Sequence, residues 1–275
     1  MTKGFALIEN IINKNGGNMK KLILFFIASF FLGTTLCYGW SCKTHTFIAQ
    51  QAGMKNPEYA CIPDEVRHEN YNLMIQFHYH SAAPDAVVTP EYIQRYSVRT
   101  ANVREEGKSD TISIKIPHKS GVLYWKILDL YNRMNEKDLK EYRYNYYLMS
   151  IAHFIGDLSQ PLHNYPYNKK LAGDGKVYES HGIWSADKHG EFDYALDAAY
   201  PLSKEDMDYL LKKISIINIK SSDDMSREVA NIANSSIALA NTCFKEKRGM
   251  SRKEAIGQVA MSVSLLKAVL HKKQH

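Results

Sequence analysis

The chain has 275 residues, 45% of them hydrophobic and 23% charged, a balance that excludes wholesale disorder, collagen and a polytopic membrane protein. Its 35 Lys and Arg against 29 Asp and Glu leave a net charge of +6, too mild an excess to argue by itself for a nucleic-acid partner. Four cysteines are too few for a disulfide-built scaffold, whereas 11 histidines are a large stock of metal ligands and acid–base groups.

The first 39 residues read as an address. Lys20 and Lys21 precede the apolar run 22–32, and small residues stand at Cys37 and Gly39. This pattern predicts a secretory signal peptide starting at Met19 and cut after Gly39. The apolar run is shorter than the roughly 20 residues a spanning helix needs. The expected product, residues 40–275, is a single domain, secreted or periplasmic. Residues 1–39 hold four Lys and one Glu, so that product carries 31 basic and 28 acidic residues and a net charge of +3. It retains Cys42, Cys61 and Cys243; an oxidising compartment favours a Cys42–Cys61 pair, though spacing alone does not settle the pairing.

Beyond the leader, helices are predicted over 44–52, 122–130, 139–158, 192–199, 229–244 and 253–270, the last capped by Ser251. Alternation at 111–116 predicts one short strand. The rest of 81–117 lacks periodicity and reads as a long surface excursion. With no repeat, linker or low-complexity tract, the expectation is an all-α, single-domain helical bundle.

The strongest chemical signal is the string His153 to His163, HFIGDLSQPLH. His153 and Asp157 are four apart in a helix, so an imidazole and a carboxylate share one face. Pro161 ends that helix, and His163 returns from the following turn. Neutral imidazoles and ionised carboxylates are good zinc ligands. His189 and Asp193 repeat the spacing, whereas His181 has Ser185 four residues on; His189 is therefore preferred. A third cluster is Asp64, His78 and His80, with His68 close by. Cleavage after Gly39 would expose the Trp40 α-amine near His45, and an amine with its own carbonyl can chelate a metal. His118, His271 and His275 lack an acid at a useful spacing and read as surface residues.

At these residues the chain resembles the superfamily of zinc-dependent phospholipases C and single-strand-specific zinc nucleases. The resemblance rests on Trp40, the His153-x3-Asp157 motif with its turn to His163, and the later His189-x3-Asp193, and it spans most of residues 40–275. It implies three zinc ions in an all-helical bundle. One ion would take Asp64, His78, His153 and Asp157; a second His163, His189 and Asp193; a third the Trp40 amine and carbonyl, His45 and a bridging Asp157. His80 or Asp85 stand as alternatives to the Asp64 and His78 match. Zinc lowers the pKa of bound water to near 7 and offsets phosphate charge, and Asp64 would orient or deprotonate the attacking water. The expected activity is phosphate-ester hydrolysis.

The resemblance leaves the substrate divided between a phospholipid headgroup, with transient membrane-surface contact, and single-stranded nucleic acid. The Trp40-to-His45 spacing, the Gln160-Pro161-Leu162 turn and Asp193 look nuclease-like, whereas the Asp64-to-His78 step suits the phospholipases equally. A nuclease would want aromatic platforms, but Tyr142, Tyr144, Tyr146 and Tyr147 lie at helical spacing and read as packing. The sequence therefore places a phospholipase C-like phosphodiesterase first, a nuclease second and a non-catalytic zinc binder third, with no protein partner implied.

Overall fold

A computed structural model describes residues 40–67, 77–83, 85–95, 99–104, 111–116, 121–164, 200–246 and 250–272, with backbone alone for 66–67, 99–104, 111–116 and Phe244. The expected leader 1–39, the helix expected over 192–199, and His68, His118, His181, His189, Asp193 and His275 lie outside the described residues. Among the described residues there are eight helices and one β-hairpin. They run α1 (Cys42–Ala52), α2 (Ile62–Arg67), α3 (Pro90–Arg95), β1 (Arg99–Arg104), β2 (Thr111–Ile116), α4 (Leu123–Met134), α5 (Glu141–Ser159), α6 (Lys204–Lys213), α7 (Ser222–Lys245) and α8 (Arg252–His271). Single 3₁₀ turns occupy Pro57–Cys61 and Pro161–His163. The body is all-α, as the sequence predicts.

The helix ends follow from local chemistry. Gly53, at φ 90°, stops α1: its N–H reaches Gln50 O while that of Met54 reaches Ala49 O, the paired bonds of a Schellman motif. Ser251 and Glu254 close a reciprocal capping box on α8. Gln160 leaves the helical region at the end of α5, and Pro161 opens the 3₁₀ turn that carries His163.

Helix α5 is the axis of the fold, packing against α1, α2, α4, α7 and α8. All ten residues from Ser150 to Ser159 are buried. Ile151, Phe154, Ile155 and Leu158 join Ile48, Leu123, Ile127, Met225, Val259 and Leu266 in one core. Burying each such side chain contributes about 1.5–3 kcal/mol, so the half of α5 that carries His153 and Asp157 sits in the best-supported part of the molecule. Cys42 and Cys61 are joined, with Cα atoms 5.0 Å apart, which fastens α1 to the turn before α2. Cys243 is buried and lies outside the disulfide.

In the segment expected as a surface excursion, the described side chains over 81–95 are mostly exposed or half-buried, with three anchors. Ala82, Val88 and Ile93 are buried, and the Asn234 side chain clamps both main-chain groups of Val88 at 2.8 and 2.9 Å. The strand expected at 111–116 forms and pairs antiparallel with β1, Arg99 opposite Ile116 and Arg104 opposite Thr111. Helix α7 begins at Ser222 rather than 229. There the Asp224 carboxylate accepts from the N–H groups of Lys220 and Ser221, and Ser221 Oγ accepts from Asp224 N.

Candidate metal centre

His153 and Asp157 stand one turn apart on α5, 0% and 2% exposed. His153 Nδ1 lies 2.8 Å from the Ala60 carbonyl. A carbonyl only accepts, so Nδ1 carries the proton and a neutral His153 turns the Nε2 lone pair inward. That nitrogen meets His78 Nδ1 at 3.0 Å, Asp157 Oδ2 at 3.2 Å and Asp64 Oδ1 at 3.6 Å. His78 Nδ1 in turn lies 3.0 Å from Asp157 Oδ2 and 3.7 Å from Asp64 Oδ1.

These donors fit a zinc ion. Four ligands at about 2.0–2.1 Å around a tetrahedral ion stand about 3.3 Å from one another, and the five separations just given run from 3.0 to 3.7 Å. The cluster also converges lone pairs that repel one another unless a cation or proton lies between them. Buried polar atoms normally find partners, yet His78 Nε2 and both ring nitrogens of His45 are buried without a hydrogen bond.

Asp157 faces two ways. Its Oδ2 addresses His78 and His153, while Oδ1 lies 3.5 Å from His45 Nε2 and 3.7 Å from His163 Nε2. His45 stacks on His153 with ring centroids 3.9 Å apart. This approach requires Gly156, because a Cβ there would stand 2.5 Å from His45 Nδ1. Trp40 is 1% exposed, and its indole N–H donates to Ser159 Oγ at 3.0 Å. The hydroxyl of Ser159 donates to Gly156 O at 3.0 Å. The start of the described chain is thus pinned beside the turn that carries Asp157.

A main-chain weave aligns His78 and His163. His80 N donates to His163 O at 2.7 Å and Ala82 N to Asn164 O at 3.3 Å. His163 Nδ1 donates to the His78 carbonyl, which turns His163 Nε2 toward Asp157. Asn164 holds the turn shut: its amide donates to Leu158 O and Gln160 O at 2.8 and 2.9 Å, and its carbonyl oxygen accepts from Tyr124 Oη at 2.9 Å. His80 is engaged elsewhere, with Nδ1 on Gly121 O and Nε2 on Tyr92 Oη, both at 2.9 Å. Gly121, at φ 83°, lies against Tyr79 O, where a Cβ would approach to 2.0 Å.

The electrostatics of the metal-free centre balance charge against burial. Burial raises the Asp157 carboxyl, but His153 and His163 outweigh it and hold the group well below the usual carboxylate range. Asp64 is lowered despite its own desolvation, chiefly by His153 and His78. Burial pushes His153 down, yet Asp157 and Asp64 bring it up to about 9. Burial dominates at His163, lowered to about 4, and at His45, lowered also by His153. Two ionised carboxylates therefore face imidazoles in a nearly dry site.

The structure brings together Asp64, His78, His153 and Asp157, with His45 and His163 against the second face of Asp157. Of His78 and His80, only His78 joins the cluster. The sequence reading missed the Ala60 carbonyl, Gly156 and Asn164. Gly156 carried a signal, a glycine inside a strongly helical run; a main-chain carbonyl carries none. A family model described as S1/P1 Nuclease matches residues 41–263. No curated protein matches the chain.

Proposed function

The chain belongs to the S1/P1 nuclease family, zinc-dependent hydrolases of phosphodiester bonds, and from that premise we propose that it cleaves single-stranded nucleic acid at the centre built on α5. The observation that carries this reading is the four-donor cluster of Asp64, His78, His153 and Asp157, whose spacing suits zinc, within the span of that family match. The order of substrates reached from sequence is reversed: the match supports a nuclease, and it lends no specific support to a phospholipid headgroup or to membrane contact. No described helix is long and apolar enough to cross a membrane.

In this reading Asp64, His78, His153 and Asp157 hold one ion. His45, Asp157 and the Trp40 amine freed by cleavage after Gly39 hold another, and His163 with His189 and Asp193 a third. Bound zinc supplies Lewis acidity, which offsets phosphate charge and lowers the pKa of water. The chain supplies the rest. His153 is fixed in one tautomer by Ala60 O, and His163 by the His78 carbonyl. Asp64 is the one member of the four-donor cluster with appreciable exposure, 15%, and its carboxyl is held ionised. It is therefore placed to take a proton from water at the solvent side. The disulfide Cys42–Cys61 supports passage through an oxidising compartment, secreted or periplasmic.

The test is to prepare residues 40–275, count zinc per chain, and compare turnover of single-stranded DNA, single-stranded RNA and phosphatidylcholine. The expected result is nucleic-acid cleavage without lipid turnover, with Asp64→Asn lowering kcat by about 10²–10⁴. Lipid hydrolysis with inert nucleic acid would restore the phospholipase reading. Stoichiometric zinc with no phosphoester turnover at all would favour the non-catalytic binder.

A further inference from the structure

The N-terminal half of α5 carries a feature that metal binding does not use. Tyr142 and Tyr146 are 63% and 51% exposed, against the packing role expected of the tyrosine run; Tyr147 is the member that packs against the core. Tyr146 lies seven residues before His153 and Tyr142 eleven. At 3.6 residues per turn both project within about 20° of the His153 direction, about 10 and 16 Å along the axis. One stripe of α5 therefore runs from two open tyrosine rings down to the ligand pair.

The Tyr146 ring is braced by its neighbour. Tyr146 meets Tyr147 edge-on, centroids 5.8 Å apart. Arg133, which interacts electrostatically with Tyr147, is fixed by the Asp129 carboxylate at 2.9 and 3.0 Å. Arg143 and Tyr142 interact electrostatically. Lys140, Glu141, Arg143 and Asn145 are all exposed around the two rings, with Glu141 and Arg143 each about 100° from Tyr142 on opposite sides of the helix.

We propose that Tyr142 and Tyr146, with Arg143 and Lys140, form an accessory platform on which a single nucleic-acid strand stacks on its way to the metal centre. The four-residue step sets the rings about 6 Å apart along the axis, so each can take a different base. Aromatic faces bind every base without regard to sequence, and neighbouring cations meet the phosphates. Polar neighbours on both sides of the stripe disfavour an apolar occupant. The platform rests on the nuclease reading of the centre.

The test uses the zinc-loaded protein and a nuclease-resistant phosphorothioate single strand of about 12 nucleotides, within the usual range of such sites. Affinity is read by fluorescence anisotropy beside that of a dinucleotide, and cleavage of the unmodified strand is followed separately. The double variant Tyr142→Ala/Tyr146→Ala is expected to weaken the long strand about tenfold or more, erasing its advantage over the dinucleotide. Tyr142→Phe/Tyr146→Phe, which keeps the rings, is expected to retain that advantage. Unchanged affinity in the alanine variant, or no binding by the wild type, overturns the platform. Cleavage with unchanged affinity sinks the platform and leaves the nuclease reading standing. Binding lost in the alanine variant, with nothing cleaved by the wild type, does the reverse.

Discussion

At the scale of single residues the centre depends on two groups that bind nothing. The Ala60 carbonyl fixes the His153 tautomer, as partners of metal-binding histidines generally do. Gly156 leaves the space into which His45 stacks. Gly156→Ala therefore tests whether this approach matters. Helix propensity alone favours the change by about 1 kcal/mol, but the new methyl would sit 2.5 Å from His45 Nδ1. The expected outcome is loss of zinc from the His45 side, measured as a lower metal count per chain, with α5 intact by circular dichroism. Full zinc content in this variant would show that the close approach is dispensable.

At the scale of elements, the pieces around the centre are joined by few but well-placed ties. The Cys42–Cys61 bond, spanning 19 residues, closes a loop whose cross-link is worth about 3 kcal/mol, and it ends one residue from Ala60. Replacing both cysteines with alanine is expected to lower stability by about that amount in denaturant melts. Zinc affinity should fall with it, because the carbonyl that aims His153 loses its tether. A stability loss with undiminished zinc affinity would separate the two effects. Long breaker-poor runs, capped starts and alternating segments were readable in advance. The helix over 139–158, the capped helix after Ser251 and the strand at 111–116 all form where the pattern puts them. Helix α6 was not, because KEDMDYLLKK is short and strongly polar, with a single fully buried position, Leu210. Strand β1 exists through its pairing with β2 rather than through alternation of its own. The paired motif His153 and Asp157 was legible because it lies on one helix, whereas the ring of bonds through His80, Asn164 and Tyr124 joins parts of the chain far apart in sequence.

For the molecule as a whole, the same buried groups set how stability responds to pH when zinc is removed. His153, raised to about 9 from an ordinary 6.5 by Asp157 and Asp64 against its burial, stabilises the fold fully below 6.5; that contribution is lost as pH rises through 9. Burial lowers His163 to about 4, and lowers His45 as well, so below 6.5 the unfolded chain binds protons that the folded chain refuses. Stability therefore falls in both directions, and Tm of the chelator-treated protein should peak at about pH 6.5. Melts at about pH 5, 6.5 and 8.5 check this, and a Tm that climbs steadily across the series would contradict it. Zinc added back should raise Tm throughout and flatten the alkaline limb, since metal then replaces the proton on the ligand nitrogens.

The two-faced carboxylate of Asp157 has a further consequence. It has one negative charge to divide between neighbours on either side, so a cation drawn to one oxygen leaves less attraction at the other. Ions sharing it would be rivals as well as neighbours, filling in sequence as zinc becomes plentiful and leaving in reverse as it grows scarce. Between the empty and full forms there would stand a half-armed protein, and the abundance of zinc outside the chain would govern how much of the population is ready to cut.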